Sequence, residues 1–335
     1  MHPIPSAPAP TVSHRPLEEF TELNKAFGDN LRLRILRLLR SESFGVLELC
    51  RILEIRQSTL SHHLKVLLKV NVVCTRREGN SIFYRRTFLR DEDPYRCLKE
   101  TVFDQLDLMP LAKSSLEKIG EIQSERSQQS LNFFNKNAGK FRENQGLIVK
   151  HSDYASSLHD VIDSLCLPIK SRVLEVGPGE GVLLAELAVK FRHLTALDNS
   201  KEMLEKSKAA IAQRKIKGVK FILGDISLAR DNGTKSDLII FDMVLHHISS
   251  PTRTFNDAAS LLNEGGYLLI IDLSNHDQDW VRKSCGDLWL GFDESDLNHW
   301  AKKSGLLPGQ SSYLGLRNGF QIQIRVFTKK RDSET

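Results

Sequence analysis

Apolar positions first fall into register between residues 31 and 39, where Leu31, Ile35, Leu38 and Leu39 mark one helix face and Arg32, Arg34, Arg37 and Arg40 carry charge elsewhere. The pattern next predicts a short helix over 46–53, a turn at 54–56, and a second helix over 57–70 with Leu60, Leu64, Leu67 and Leu68 facing inward. The period then changes from helical to alternating. Segments 72–77 and 81–87 predict two strands around Glu78, Gly79 and Asn80, a hairpin with a turn-forming Gly-Asn tip. Leu98, Val102 and Leu106, with Phe103 beside them, return to helical spacing, and a charged, Gln-rich run follows over 114–132. This stretch predicts a helical connector, part of which pairs with a second subunit. From residue 155 onward, strand-length apolar runs alternate with helical patterns: strands over 171–176, 193–197, 219–223 and 236–241, and a helix over 182–191. That alternation predicts an α/β fold on a parallel sheet.

A length of 335 residues suits two domains and a connector. The apolar runs 238–241 and 268–271 are far short of the roughly 20 residues a membrane span needs, so no membrane partner is expected. Residues 1–16, with Pro3, Pro5, Pro8, Pro10 and Pro16, lack the apolar core of a secretory signal and are expected to form a disordered tail. Five widely spaced cysteines without a CxxC suit reduced thiols in a cytoplasm. The net charge of +5 is small, but its distribution is not even. Between residues 17 and 90 there are fourteen Lys/Arg against eight Asp/Glu, and the residues beyond carry a small deficit. An anionic partner is therefore expected for the N-terminal module alone.

The second helix of that module presents Gln57, Ser58, Thr59, Ser61, His62 and Lys65 at its N-terminal end, where a recognition helix meets base edges. The hairpin carries Arg76, Arg77, Arg85 and Arg86, placed to reach phosphates. A basic hairpin directly after a helix-turn-helix is a winged helix. The segments "LRLRILRLL", "STLSHHLKVLLKVNVV" and "RREGNSIFYR" resemble the ArsR-type winged-helix repressors over about 75 residues. The resemblance implies a homodimer reading a palindromic double-stranded DNA operator, with Ser58, Thr59, Ser61, His62 and His63 on or near the DNA face. Adjacent histidines on one helix cannot face the same way, so one of His62 and His63 can equally pack or cap. Metal sensing in such repressors uses paired thiols; "ELCRIL" keeps Cys50 but has Ile52 at the second position, and no metal site is expected.

In the C-terminal module a strand runs into Gly177, Pro178, Gly179, Glu180 and Gly181, and a helix follows. Strand, glycine turn and helix form a ligand crevice in open α/β sheets. The GxGxG spacing departs from the dinucleotide fingerprint, which wants its third glycine where Val182 stands. Asp198, seventeen residues past Gly181, ends the second strand where a carboxylate can accept both hydroxyls of a ribose. Asp225 ends the third strand, where it can accept from an exocyclic amine such as adenine N6. Singly, each acid is an ordinary strand-end cap; together the three strand ends outline one adenosine-sized site.

The segments "VLEVGPGEG", "LTALDNSKEML", "FILGDI", "DLIIFDMVLHHI" and "LNEGGYLLIID" resemble the class I S-adenosylmethionine-dependent methyltransferases over about 160 residues. The resemblance implies S-adenosyl-L-methionine as cofactor. Glu175 with Gly177, Gly179 and Gly181 would hold its methionine part, Asp198 the ribose and Asp225 with the Ile226 backbone the adenine, and Asn199 and Asp242 are expected among the cofactor-binding residues. His246 and His247 follow the fourth strand in place of an Asn-Pro-Pro-Tyr sequence, which points to a small-molecule methyl acceptor; either histidine can serve as general base or simply pack. Phe133 and Phe134 in "NFFNKNAGKF" resemble a lid-like helix of such enzymes, and "HDQDWVR" with "LWLGF" resembles bacterial proteins that fuse an ArsR-type domain to a methyltransferase.

The expected organisation is a tail (1–16), a winged helix-turn-helix α+β domain (17–90), a helical connector (91–150) and a Rossmann-like methyltransferase domain (151–330). The expected function is a cytoplasmic, dimeric DNA-binding regulator with a methyltransferase domain acting on a small molecule. Two alternatives stand beside it: a cofactor-sensing repressor without methyl transfer, and a nucleic-acid methyltransferase.

Overall fold

A computed structural model describes residues 17–40 and 42–331; the expected tail, 1–16, lies outside them. Among the described residues no helix is long and apolar enough to cross a membrane. The chain divides into two compact units, residues 17–75 with 84–113, and residues 76–83 with 114–331, among those described.

The first unit contains α1 (Leu17–Phe27), α2 (Asn30–Leu38), β1 (Phe44–Gly45), α3 (Val46–Leu53), α4 (Gln57–Lys69) and the bases of strands β2 (Val73–Glu78) and β3 (Ser81–Arg86), followed by α5 (Arg96–Leu108). Each helix start has a local cause. Asp29 caps α2, its Oδ1 accepting from the Arg32 N–H at 2.9 Å, and the Glu48 carboxylate accepts from the Gly45 N–H ahead of α3 at 2.7 Å. Glu54 ends α3 in the left-handed region, φ 58°, and so makes the sharp turn into α4. Ile35, Leu36, Leu49, Leu60, Leu64 and Leu67 are buried together. Leu68, expected inward, is only half-buried. The three strands pair in the order β1-β3-β2. Helix α5 joins this unit through Asp107, which holds the buried Arg86 guanidinium at 2.9 Å while Arg86 Nε donates to the Leu36 carbonyl at 2.6 Å.

Besides the hairpin tip, 76–83, the second unit contains nearly all of α6 (Lys113–Asn137), with α7 (Phe141–Gly146) and α8 (Ala155–Ser164). It continues as β4 (Arg172–Val176), α9 (Val182–Lys190), β5 (His193–Asp198), α10 (Lys201–Gln213), β6 (Val219–Leu223), α11 (Ile226–Asp231), β7 (Ser236–Asp242), α12 (Pro251–Leu261), β8 (Leu262–Leu273), α13 (Trp280–Ser284), α14 (Glu294–Lys303), β9 (Leu306–Gly315) and β10 (Gln321–Lys329). The seven strands order as β6-β5-β4-β7-β8-β10-β9. β6 to β8 pair in parallel, whereas β10 runs antiparallel to both β8 and β9. Strand order reverses between β4 and β7, and a ligand crevice opens outside the carboxyl ends of the strands at such a switch point.

Both faces of the sheet are covered, as near-continuous apolar strands require. One core gathers Val173, Leu183, Leu187, Leu238, Ile240 and Ile324; the other gathers Leu174, Ile239, Phe241, Phe255, Leu268 and Ile270. Phe241 sits at the centre of the second core with no exposed surface. Phe241→Ala is expected to lower the unfolding free energy of this unit by about 3–5 kcal/mol, lost transfer energy plus the cavity left behind, and urea unfolding followed by tryptophan fluorescence measures it.

Candidate functional site

The carboxyl ends of β4, β5, β6 and β7 converge on one cavity of about 1130 Å³, larger than a single small-molecule site needs. Between β4 and α9 the backbone turns through Gly177, Gly179 and Gly181 at φ +67°, +56° and +74°, a left-handed run closed to other residues without strain. A Cβ at Gly177 would lie 2.4 Å from Val244 Cγ2, so the glycine also sets how closely the loop approaches the segment after β7. Ser207 Oγ donates to the Gly179 carbonyl at 2.7 Å and fixes the loop from below.

The wall of this cavity is acidic. Glu175, on β4, is buried and its Oε2 has no hydrogen-bond partner. Burial, reinforced by the nearby Asp242 charge, pushes its carboxyl well above the usual range. Asp242 ends β7 half-buried, its Oδ1 accepting from the Tyr154 hydroxyl at 2.8 Å and its Oδ2 lying 3.6 Å from His151 Nδ1. His151 Nε2 in turn lies 2.9 Å from Glu186 Oε2. Burial works against the His151 imidazolium, but hydrogen bonding and charge from Asp242 and Glu186 outweigh it and raise its pKa to about 9. Glu186 is shared with a second imidazole, His159 Nε2 at 3.0 Å, whereas Asp242 and Glu175 have His151 as their nearby imidazole. His151, Tyr154 and Glu186 were not singled out from the sequence: they come from two segments far apart, with no motif spacing between them.

Asp198, at the end of β5, is half-buried; its Oδ1 accepts from the Ser200 N–H at 2.8 Å. Burial raises its pKa to about 6 despite the backbone N–H groups of Ser200 and Asn199. Asn199 is exposed on the cavity rim beside it. Asp225 is an N-cap, its Oδ1 accepting from the Leu228 N–H at 3.1 Å and from Ser227 Oγ at 2.6 Å, and Ile226 is buried behind it. The structure therefore brings Glu175, Gly177, Gly179, Asp198, Asn199, Asp225, Ile226 and Asp242 around one space. Gly181 turns the chain into α9 at its edge.

The two histidines after β7 part company. His247 is half-buried on the cavity wall, its ring edge-on to Phe134 at 4.7 Å between centroids. Burial and the neighbouring His246 charge hold its pKa well below the usual value. His246 turns inward and does not line the cavity; its Nδ1–H donates to Asp272 Oδ1 at 2.7 Å. Burial opposes its charge, yet Asp272 and Asp287 raise its pKa to about 9. Of the pair expected as bases, only His247 faces the space where an acceptor can stand.

On the first unit, Gln57, Ser58, Thr59, Ser61, His62 and Lys65 are all exposed along one end of α4. His63 is half-buried, its Nδ1 3.5 Å from Asp29 Oδ1, and so fills the packing role expected of one histidine of that pair. Arg77 is exposed. Arg76, placed with it on the phosphate-facing edge from sequence, is instead taken up within the second unit. Its guanidinium pairs with Glu78 and with Asp296 (3.4 Å), donates to the Gly291 carbonyl, and lies 5.2 Å from the Phe292 ring centroid. The strand alternation explains this: Cys74, Arg76 and Glu78 share the inward face, and Thr75 and Arg77 the outward one.

Residues 169–303 match the family model of a methyltransferase domain, and residues 29–75 match that of the bacterial regulatory proteins of the arsR family. An uncharacterized HTH-type transcriptional regulator of Methanocaldococcus jannaschii is 44% identical over 70 residues, 20% of this chain and 76% of that protein. A ubiquinone biosynthesis O-methyltransferase of Coxiella burnetii is 25% identical over 147 residues, 40% of this chain and 62% of the relative. A polyketide synthase-nonribosomal peptide synthetase of Pyricularia grisea is 30% identical over 135 residues, 36% of this chain but only 3% of that protein. Among solved structures, magnesium protoporphyrin IX methyltransferase from Synechocystis PCC 6803 with bound SAH aligns at TM-score 0.50 and 18% identity, over 61% of this chain and 100% of that one. The [4+2]-cyclase SpnF aligns at 0.50 and 14%, over 61% and 96%. The fold and these relatives agree: the chain belongs to the arsR family of regulators through its winged helix and carries, in the same polypeptide, a methyltransferase domain of Rossmann-like fold.

Proposed function

We propose that the second unit binds S-adenosyl-L-methionine in the acidic cavity and transfers its methyl group to a small molecule, while the first unit binds double-stranded operator DNA as a homodimer. The observation that carries the reading is the surplus of carboxyl groups on the cavity wall, with the unpartnered Glu175 oxygen among them. A ligand with an ammonium and a sulfonium supplies the missing positive charge. When bound, it also supplies a methyl group already activated for in-line transfer, which leaves the protein to hold and orient.

Glu175 and the glycine turn take the amino-acid end of the cofactor. Asp198, with Asn199 beside it, accepts the ribose hydroxyls; Asp225 keeps Oδ1 for its cap and offers Oδ2, with the Ile226 N–H, to the adenine. Tyr154 and His151 position Asp242 and keep water out of the cavity floor. The remaining volume, walled by His247 and Phe134, receives the acceptor. The likeness to an O-methyltransferase of ubiquinone biosynthesis favours a small acceptor over a nucleic acid. The test is incubation of the purified protein with methyl-labelled cofactor and a metabolite extract, DNA or RNA: label is expected in a small molecule only, and label in nucleic acid overturns the acceptor class.

Asp198→Ala removes a charged acceptor of two hydroxyls and is expected to weaken calorimetric binding of the cofactor about ten- to a hundredfold; unchanged affinity contradicts the ribose assignment. The pH dependence has a definite sign. Asp198 titrates near 6 in the free protein and Glu175 is raised as well, while the ligand needs both ionised. The Asp198 contribution to affinity is therefore full above about pH 7 and falls as pH drops through 6, by up to roughly tenfold per unit, and Glu175, shifted in the same direction, adds to the loss at low pH. On the DNA side, Ser61→Ala with His62→Ala is expected to relax sequence-specific retention of the operator. Arg77→Ala should weaken binding to all sequences and lower the salt slope by about 1, whereas Arg76→Ala, inside its ion-pair cluster, should leave the slope unchanged.

A further inference from the structure

We propose that His246, His247 and Asp287 form a binding site for one divalent transition-metal ion at the inner wall of the cavity. One ligand atom from each lies within 4.8 Å of the others. The observation that singles this cluster out is Asp287. It is 2% exposed, and neither carboxylate oxygen has a hydrogen bond. Its nearest opposite partners, His246 Nε2 and His247 Nδ1, each stand 3.9 Å away, too far to satisfy it. A buried carboxylate without hydrogen bonds is costly, and a cation between it and two imidazoles removes that cost.

The surroundings are those of a metal site. His246 Nδ1–H donates to Asp272 Oδ1 at 2.7 Å, and Asp272 is itself held by the N–H groups of Leu273 (2.7 Å) and His246 (3.2 Å). A carboxylate on the far nitrogen is the arrangement that orients a ligating histidine and presents its Nε2 lone pair. The loop carrying Asp287 is clamped to the same residue, because the Leu288 and Trp289 N–H groups both donate to the His246 carbonyl, at 3.0 and 3.1 Å. His247 Nδ1, 3.3 Å from the Gly286 carbonyl, would exchange that weak contact for the metal and carry its proton on Nε2. Metal bonds of about 2.0–2.2 Å draw ligand atoms to roughly 3.5 Å apart, so the side chains need to close by an ångström or so.

Two nitrogens and one carboxylate oxygen select a transition ion such as zinc, cobalt or iron over magnesium or calcium. Beside the two histidines lies a separate cavity of about 20 Å³, room for one water, walled otherwise by Phe133, Phe134, Met243 and Cys285. His247 also lines the large cavity, so an ion here would stand where an acceptor hydroxyl can reach it; that use, unlike the binding itself, rests on the methyl-transfer reading.

Full-length protein, stripped with a chelator, is titrated with Co²⁺ by visible absorption and then back-titrated with Zn²⁺, without methyl donor. The expected result is one saturable equivalent per chain, displaced by Zn²⁺, absent in the isosteric Asp287→Asn and in His247→Gln, and weakened about 10–100-fold in Asp272→Asn. No saturable absorption overturns the site, as does one equivalent that persists in both Asp287→Asn and His247→Gln. If Asp287→Asn does not fold, His247→Gln, on the cavity wall, carries the same comparison. Cofactor calorimetry is read separately, so failure of one assignment is distinguishable from failure of the other.

Discussion

Burying carboxyl groups at the carboxyl ends of parallel strands is the constraint from which the rest of the second unit follows. A desolvated carboxylate must find hydrogen bonds, a cation or a proton. Here Asp242 has the Tyr154 hydroxyl and the His151 imidazolium, Asp198 has backbone N–H groups, and Glu175 has an oxygen with no partner. The fold can hold this imbalance because the surrounding sheet is packed on both faces. On the proposed reading the imbalance also makes the cavity selective, since a ligand without an ammonium group leaves it unrelieved.

The same logic recurs a few ångströms deeper. His246 is committed to Asp272, which leaves Asp287 facing two ring nitrogens across gaps too long for hydrogen bonds. The upper cluster calls for the positive end of an organic ligand. The lower one, walled by imidazoles with hardly any free volume, is matched in size and donor chemistry to a bare ion. The two lie on either side of His247, which makes that residue the junction between donor cavity and inner cluster.

Much of this architecture could be read from the chain. Helix-turn-helix spacing, the hairpin and the parallel strands all follow from one-dimensional periodicity, and the glycine turn with Asp198 and Asp225 follows from where strands end. Strand alternation puts Arg76 on the face of Glu78, and only the identity of what covers that face is hidden in the sequence. His151, Tyr154, Glu186 and Asp287 were not legible, because each acts through a partner remote in sequence and none sits in a repeating pattern. The doublet His246–His247 announced that one ring points in and one out, but choosing between them required knowing that Asp272, at the far end of β8, approaches from below.

The claim at the centre of this account is that the acidic cavity is built around the charged amino-acid end of the methyl donor and not merely around adenosine. Calorimetric comparison of S-adenosylhomocysteine with methylthioadenosine, which keeps the nucleoside and thioether but lacks the amino-acid end, tests it most directly. The account predicts that methylthioadenosine binds at least about a hundredfold more weakly, a loss of roughly 2.7 kcal/mol, and that Glu175→Gln narrows the difference by weakening only the first ligand. Equal affinity of the two compounds, with Glu175→Gln affecting neither, would contradict it.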